Sequence, residues 1–232
     1  MQRHPELLRP LRAGSRTVRI PPHGLEGDLN VPENASALVV FVHGSGSSHL
    51  SPRNRAVARV LNEHHIATFL FDLLTTDEER DRANVFDISL LASRLTGALD
   101  WLRDDGGLAT LPFGLFGAST GAAAALVVAS RLNSGVFAVV SRGGRPDLAG
   151  SALSEVGIPV LLLVGERDPE VLELNQEALV RLKGPKRLNV VPGASHLFEE
   201  AGTLEEVAKR AVRWFEDYMP AGRSEAARKG GR

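Results

Sequence analysis

The feature that most constrains this chain is a recurrence of short, unbroken apolar runs, at residues 38–42, 68–71, 113–116, 136–140, 160–164 and 188–191. Each has the length of a strand, and none alternates apolar with polar as a strand wetted on one side would. A strand that is apolar on both faces needs cover on both. Segments with helical patterning supply it, at 55–63, 87–103, 120–132, 148–156 and 172–182, so the chain is expected to form a mostly parallel sheet with helices on each side. Ahead of this core, 17–21 and 25–31 read as two shorter strands turning at His23-Gly24, an antiparallel hairpin at the sheet edge that brings the total to about eight. Behind it, Thr203 stands three residues before Glu206, a capping-box spacing. Leu204, Val207, Ala208, Ala211, Val212 and Phe215 then share one helical face, predicting a last helix laid against the sheet.

With 232 residues, 43% of them hydrophobic, the chain can close one sizeable core without disulfides or metals. One domain is expected over 17–219, preceded by an extension at 1–16 and followed at 220–232 by a tail rich in Ala, Arg and Gly that can bury little and should be disordered. Only one short helix separates the run at 136–140 from the next, which leaves no room there for a large lid domain. Lys plus Arg (27) nearly balance Asp plus Glu (28), and the net charge of -1 favours neither nucleic acid nor an anionic membrane as partner; a small, roughly neutral molecule fits better. The absence of cysteine excludes a disulfide framework, a thiolate zinc site and a cysteine nucleophile together. No apolar run follows the charged first residues, so neither a signal peptide nor a membrane span is expected, and the default location is cytoplasmic.

Gly117-Ala118-Ser119-Thr120-Gly121 follows the strand at 113–116 directly and opens the next helix. A chain with 23 glycines produces such a string by chance now and then, but rarely between a strand and a helix. In that setting the turn must be tight and the serine strained, and flanking glycines let the strand and helix backbones approach without a Cβ clash. Ser119 would then project from the carboxyl end of the sheet at a helix amino terminus, where unpaired N–H groups favour developing negative charge. The bland alternative is an ordinary helix N-cap.

A serine nucleophile on such a turn takes its acid and its base, in that order, from further along the chain. Six of the seven histidines (His4, His23, His43, His49, His64 and His65) precede Ser119, leaving His196 as base, in Gly193-Ala194-Ser195-His196 after the last predicted strand. Among the acids between them Asp168 is best placed, at the end of Gly165-Glu166-Arg167-Asp168 and held out of the helix by Pro169. Its role would be to accept the His196 ring N–H; its alternative is to cap the following helix, and Glu166 is the runner-up acid. The glycine-rich run His43-Gly44-Ser45-Gly46-Ser47-Ser48 could bring a backbone donor to a reacting carbonyl, so the N–H groups of Thr120 and Ser45 are the expected oxyanion pair, with Gly46 in reserve and His43 as a structural support. The same run, followed by Asp72 at a strand end, imitates a dinucleotide-binding fingerprint, but position 49 is His49 where a third glycine belongs. Metal hydrolysis is weaker still, since no His-Glu-x-x-His string occurs and His64 and His65 would diverge from a helix.

Taken in order, the His-Gly loop, the Gly-Ala-Ser-Thr-Gly turn, the Gly-Glu-Arg-Asp loop and the Gly-Ala-Ser-His loop resemble the α/β-hydrolase superfamily, and within it the compact, lidless dienelactone-hydrolase-like group. The resemblance spans about residues 17–218. It implies the α/β-hydrolase fold and a serine hydrolase that cleaves a small carboxylic ester, lactone or thioester through an acyl-Ser119 intermediate, with no cofactor. Dienelactone hydrolases proper carry cysteine where this chain has Ser119. Acyl transfer or C–C bond hydrolysis on the same residues, or a binding protein that retains the fold, are the other functions such a chain could have. Arg142 and Arg145, after the run at 136–140, fall at the rim of the expected site, where a guanidinium could bind a substrate carboxylate; pairing with Asp147 is the competing use.

Overall fold

A computed structural model describes residues 11–44, 46–131 and 135–220. Its centre is an eight-stranded sheet: β1 (Gly14–Ile20), β2 (Leu25–Val31), β3 (Ala37–Val42), β4 (Ile66–Phe71), β5 (Phe113–Ala118), β6 (Val136–Arg142), β7 (Val160–Gly165) and β8 (Lys186–Val191), in the order β1-β2-β4-β3-β5-β6-β7-β8. The β1–β2 and β2–β4 pairs are antiparallel and every other pair is parallel, so the edge hairpin and the parallel core expected from the sequence are both present. The helices are α1 (Pro52–Glu63), α2 (Arg82–Phe86), α3 (Ile88–Asp104), α4 (Thr120–Ala129), α5 (Pro169–Arg181) and α6 (Thr203–Tyr218).

The fully apolar central strands serve two cores at once, since successive residues point to opposite faces. On β3, Leu38, Val40 and Val42 join Leu95 and Leu99 of α3 and Ala123 to Leu126 of α4. Ala37, Val39 and Phe41 join Val57 and Leu61 of α1 and Val212 and Phe215 of α6. Between β5 and β6 the register shifts at Phe113/Gly114, so that Val139 lies in the first core while Ala138 and Val140 lie in the second.

Most departures from the sequence reading lie at element ends, where backbone pairing outruns side-chain pattern. β1 starts at Gly14, inside the stretch assigned to an extension, because its ladder with β2 runs on to the Gly14–Val31 pair. β4 begins at Ile66, and β5 continues through Ala118, drawing Gly117 into register with Val42 and Ser141. α1 begins at Pro52 with Ser51 accepting from the Asn54 N–H, and α5 at Pro169, both prolines standing where a missing N–H costs nothing. The helix expected at 148–156 is a 3₁₀ segment, Pro146–Glu155, broken at Gly150 (φ 55). The capping box is not formed: Gly202 (φ 80) holds the cap position of α6, and Thr203, its first residue, donates its hydroxyl to the Glu200 carbonyl at 2.7 Å. The short α2 was not read from the sequence; Asp81 opens it by accepting from the Ala83 N–H. Residues 1–10 and 221–232, which hold most of the expected extension and tail, lie outside the described residues.

Phe215 is sealed in the second core, where it meets Phe137 edge-on at 5.9 Å, and a Cβ at Gly114 would lie 2.8 Å from its ring. Gly114 thus leaves the room that the ring fills. Phe215→Ala is expected to destabilise the protein by about 3–5 kcal/mol, measured by urea unfolding; a loss below about 1 kcal/mol would mean that α6 does not pin the sheet as described.

Candidate active site

The residues singled out by the sequence gather at the carboxyl ends of the parallel strands, where three loops are laced together. Ser119 joins β5 to α4 with φ 49 and ψ -126, a backbone geometry costly to any residue with a Cβ. It occupies the cap position of α4, yet its side chain makes no capping hydrogen bond, so the ordinary N-cap reading does not hold. The neighbouring glycines are required sterically: a Cβ at Gly117 would lie 2.5 Å from Ala122 Cα, and one at Gly121 would collide with the Val42 carbonyl. The Ser119 carbonyl accepts from the N–H groups of Ala122 and Arg145, both at 3.1 Å.

Asp168 repeats the pattern. It holds the cap position of α5 without capping it; instead Oδ2 accepts a 2.6 Å hydrogen bond from Nδ1–H of His196, which leaves the His196 Nε2 lone pair free to take a proton. The Asp168 side chain is 14% exposed and that of His196 42%. The loops that carry them are tied by backbone bonds from Glu166 N to the Val191 carbonyl and from Arg167 N to the Ala194 carbonyl. Glu166, the runner-up acid, accepts from the Gly193 N–H at 2.7 Å. Glu200 accepts from the Ser195 N–H at 3.0 Å, and that bond first of all holds its carboxyl below the usual range.

The loop after β6 underlies both Ser119 and His196. Gly143 (φ 51) lies beneath the histidine, and a Cβ there would stand 3.1 Å from the His196 carbonyl oxygen and 3.6 Å from its Cε1. Two residues later the Arg145 N–H holds Ser119, and between them the Gly144 carbonyl accepts from the fully buried Asn175.

Thr120 is the first residue of α4, where N–H groups lack partners within the helix. The loop after β3 passes against the serine, since a Cβ at Gly44 would lie 2.5 Å from Ser119 Cβ. Ser45, the other expected oxyanion donor, lies outside the described residues; Gly46 has φ 68. His43 accepts from the Leu73 N–H at Nε2 and faces its neighbour's carbonyl with Nδ1, at 3.3 and 3.0 Å. Of the two arginines, Arg145 forms a double hydrogen bond to Asp147, at 2.9 and 2.8 Å, which raises its pKa, while Arg142 is buried.

The sequence reading did not find Asn175, Gly143, or the joining of His49 to Asp72, whose two carboxylate oxygens accept the His49 backbone N–H and ring Nδ1–H, each at 2.7 Å. The available signal was an aspartate at a strand end opposite a glycine-rich loop, a pattern that imitates a cofactor fingerprint but lacks its third glycine.

Over residues 32–220 the chain matches the model of the Dienelactone hydrolase family, and it belongs to that family. The structure of a dienelactone hydrolase from Anabaena variabilis is 50% identical, with a TM-score of 0.84 over 90% of this chain and 98% of the other. Est1E from Butyrivibrio proteoclasticus, 16% identical, shares the fold with a TM-score of 0.74 over 89% of this chain and 99% of its own. Two Mycobacterium tuberculosis proteins, named provisionally for phosphoribosyl transfer, are 58% identical over 210 residues, 90% of this chain. The chain spans about half the length (47%) of these curated relatives.

Gly143 and Gly24 both have positive φ, but nothing lies within 4 Å of a Cβ at Gly24. Gly24→Ala should cost about 1 kcal/mol from backbone geometry alone, and Gly143→Ala roughly 2–3 kcal/mol because the methyl also presses on the His196 loop. Equal losses in urea unfolding would contradict the close packing beneath the histidine.

Proposed function

We propose that this chain is a serine hydrolase that cleaves a small carboxylic ester, lactone or thioester through an acyl-Ser119 intermediate. The observation that carries the reading is the direction taken by two cap-position side chains: Ser119 and Asp168 each stand where they could cap a helix, neither does, and Asp168 turns to His196 instead. In a serine hydrolase this is the use those side chains have. His196 Nε2 removes the proton from Ser119 Oγ as that oxygen bonds to the carbonyl carbon, and the resulting oxyanion is held by the N–H groups of Thr120 and Ser45. The imidazolium, stabilised by Asp168, then gives its proton to the departing alkoxide or thiolate. Water, deprotonated by the same nitrogen, attacks the acyl-serine, and collapse of the second tetrahedral species releases the acid and restores Ser119.

Family membership supports hydrolysis, while serine in place of the cysteine of dienelactone hydrolases proper broadens the acyl groups to be considered. The phosphoribosyl transfer in the relatives' name is said of proteins about twice as long as this chain.

A fluorophosphonate probe is expected to label Ser119 and no other residue, as read by peptide mass spectrometry, and Ser119→Ala to abolish both labelling and ester turnover. Label elsewhere, or persisting in that variant, would overturn the assignment. Asp168→Asn, which leaves the carboxylate shape but removes its charge and disturbs the His196 tautomer, is expected to lower kcat by roughly 10³- to 10⁴-fold in a p-nitrophenyl acetate assay without loss of fold.

A further inference from the structure

Asn175 lies inside α5 with no exposed surface. Its Nδ2 donates twice, to the Val171 carbonyl one helical turn earlier at 2.7 Å and to the Gly144 carbonyl in the loop after β6 at 3.0 Å. The two carbonyls fix which way the amide faces, because the reversed amide would set its own oxygen against both. Its Oδ1 is sealed from solvent and finds no hydrogen-bond partner among the described residues. A buried acceptor left without a donor destabilises a fold, and an apolar side chain of similar size would avoid that cost. Local losses of this kind concentrate where function requires a particular contact.

The contact that the amide makes is to one rigid unit. The Gly144 carbonyl and the Arg145 N–H belong to the same trans peptide bond, whose planarity points them in opposite directions. One end of that peptide accepts from Asn175, and the other donates to the Ser119 carbonyl at 3.1 Å. Charge drawn toward the Gly144 oxygen makes the Arg145 N–H a better donor, so the two hydrogen bonds strengthen each other. The peptide is also confined on its flank: a Cβ at Gly144 would lie 2.1 Å from Ser141 Oγ and 2.5 Å from Ala122 Cβ. At the far side of the amide, Val171 belongs to the first turn of α5, three residues after Asp168 and its bond to His196. One buried amide therefore spans from the helix that follows the acid to the backbone of the strained serine.

We propose that Asn175 is a positioning residue for the reaction at Ser119: through the Gly144–Arg145 peptide it holds the serine at its positive φ and in line with the His196 ring. This rests on the hydrolase reading of Ser119. With no exposed surface, Asn175 acts only through the groups it holds. A serine in this backbone geometry relaxes unless contacts from outside retain it. A displacement of about 1 Å between nucleophile and base is enough to cost on the order of 100-fold in rate. The effect therefore falls on the chemical step and leaves binding of the ester nearly unchanged.

The test is kinetic. Asn175→Leu removes both hydrogen bonds and the unpartnered oxygen with little change of volume, whereas Asn175→Ser keeps a donor for the Val171 carbonyl but falls short of Gly144. Each is compared with the unaltered protein in p-nitrophenyl acetate hydrolysis, with rates expressed per Ser119 titrated to completion by a fluorophosphonate. In both variants kcat should fall roughly 10- to 100-fold with KM within about twofold, and fluorophosphonate labelling should slow by a similar factor. The Arg145 amide should also lose protection from hydrogen exchange. A role confined to stability would lower the melting temperature and the titratable fraction while leaving kcat per site unchanged; that outcome, or a loss carried by KM alone, overturns the proposal. If Asn175→Leu does not fold, Asn175→Ser decides by the same readings. Absence of turnover and of Ser119 labelling in the unaltered protein overturns the hydrolase reading and the proposal with it, whereas full activity per site in the variants overturns the proposal alone.

Discussion

The positive φ of Ser119 persists only because neighbouring backbones hold it from outside. A residue in that geometry costs about 1–3 kcal/mol on its own, and here it is gripped on several sides. Gly117 lies against Ala122, Gly121 against the Val42 carbonyl, and Gly44 against the serine itself. The Arg145 N–H crosses from the next loop to the Ser119 carbonyl. The turn therefore depends on β3, β5 and β6 lying side by side in parallel, with their carboxyl ends level. That in turn depends on strands apolar on both faces and on two helical layers to cover them.

The same loop that grips Ser119 also supports His196, which gives the site its economy. Gly143 allows the histidine loop to rest directly on the end of β6, Gly144 is tied to α5 by Asn175, and Arg145 closes on Ser119. Three consecutive residues after a strand thus brace two loops that come from distant parts of the chain. The histidine loop has Gly193, Ala194 and Ser195 in succession. It is held by Glu166 on the Gly193 N–H and Glu200 on the Ser195 N–H. Because the Glu200 pKa is lowered by that bond, its contribution is present above the usual carboxylate range and fades as acid protonates it.

Strand-length apolar runs made the parallel core legible, and the order of one serine, one well-placed aspartate and one downstream histidine marked out the candidate site, because both are properties of residue type and sequence position. What the sequence reading missed depends on partners far away in the chain. The start of β1 at Gly14 follows from pairing with Val31, not from its own polar residues. Thr203 has capping-box spacing, yet its hydroxyl finds the Glu200 carbonyl and Gly202 takes the cap. Asn175 and Gly143 have no local signature at all, since the first is an amide in a helix and the second a glycine among 23. The arginines divide in a way that spacing alone does not require: Arg145 pairs with Asp147, two residues away, while Arg142 is buried.

Two aspartates at this end of the sheet, Asp72 and Asp168, meet histidines, and their geometry separates their uses. Asp72 takes the His49 backbone N–H with one oxygen and the ring N–H with the other, so it holds a segment of loop, and the His49 side chain is 9% exposed. Asp168 takes only the ring of His196, whose backbone belongs to a separately braced loop, and that ring is 42% exposed. A carboxylate bonded to both backbone and ring immobilises a chain; one bonded to the ring alone fixes a tautomer while leaving the far nitrogen open to another molecule. His49 thus ties the glycine-rich loop to Asp72, whereas the ring of His196 stays accessible beyond its bond to Asp168.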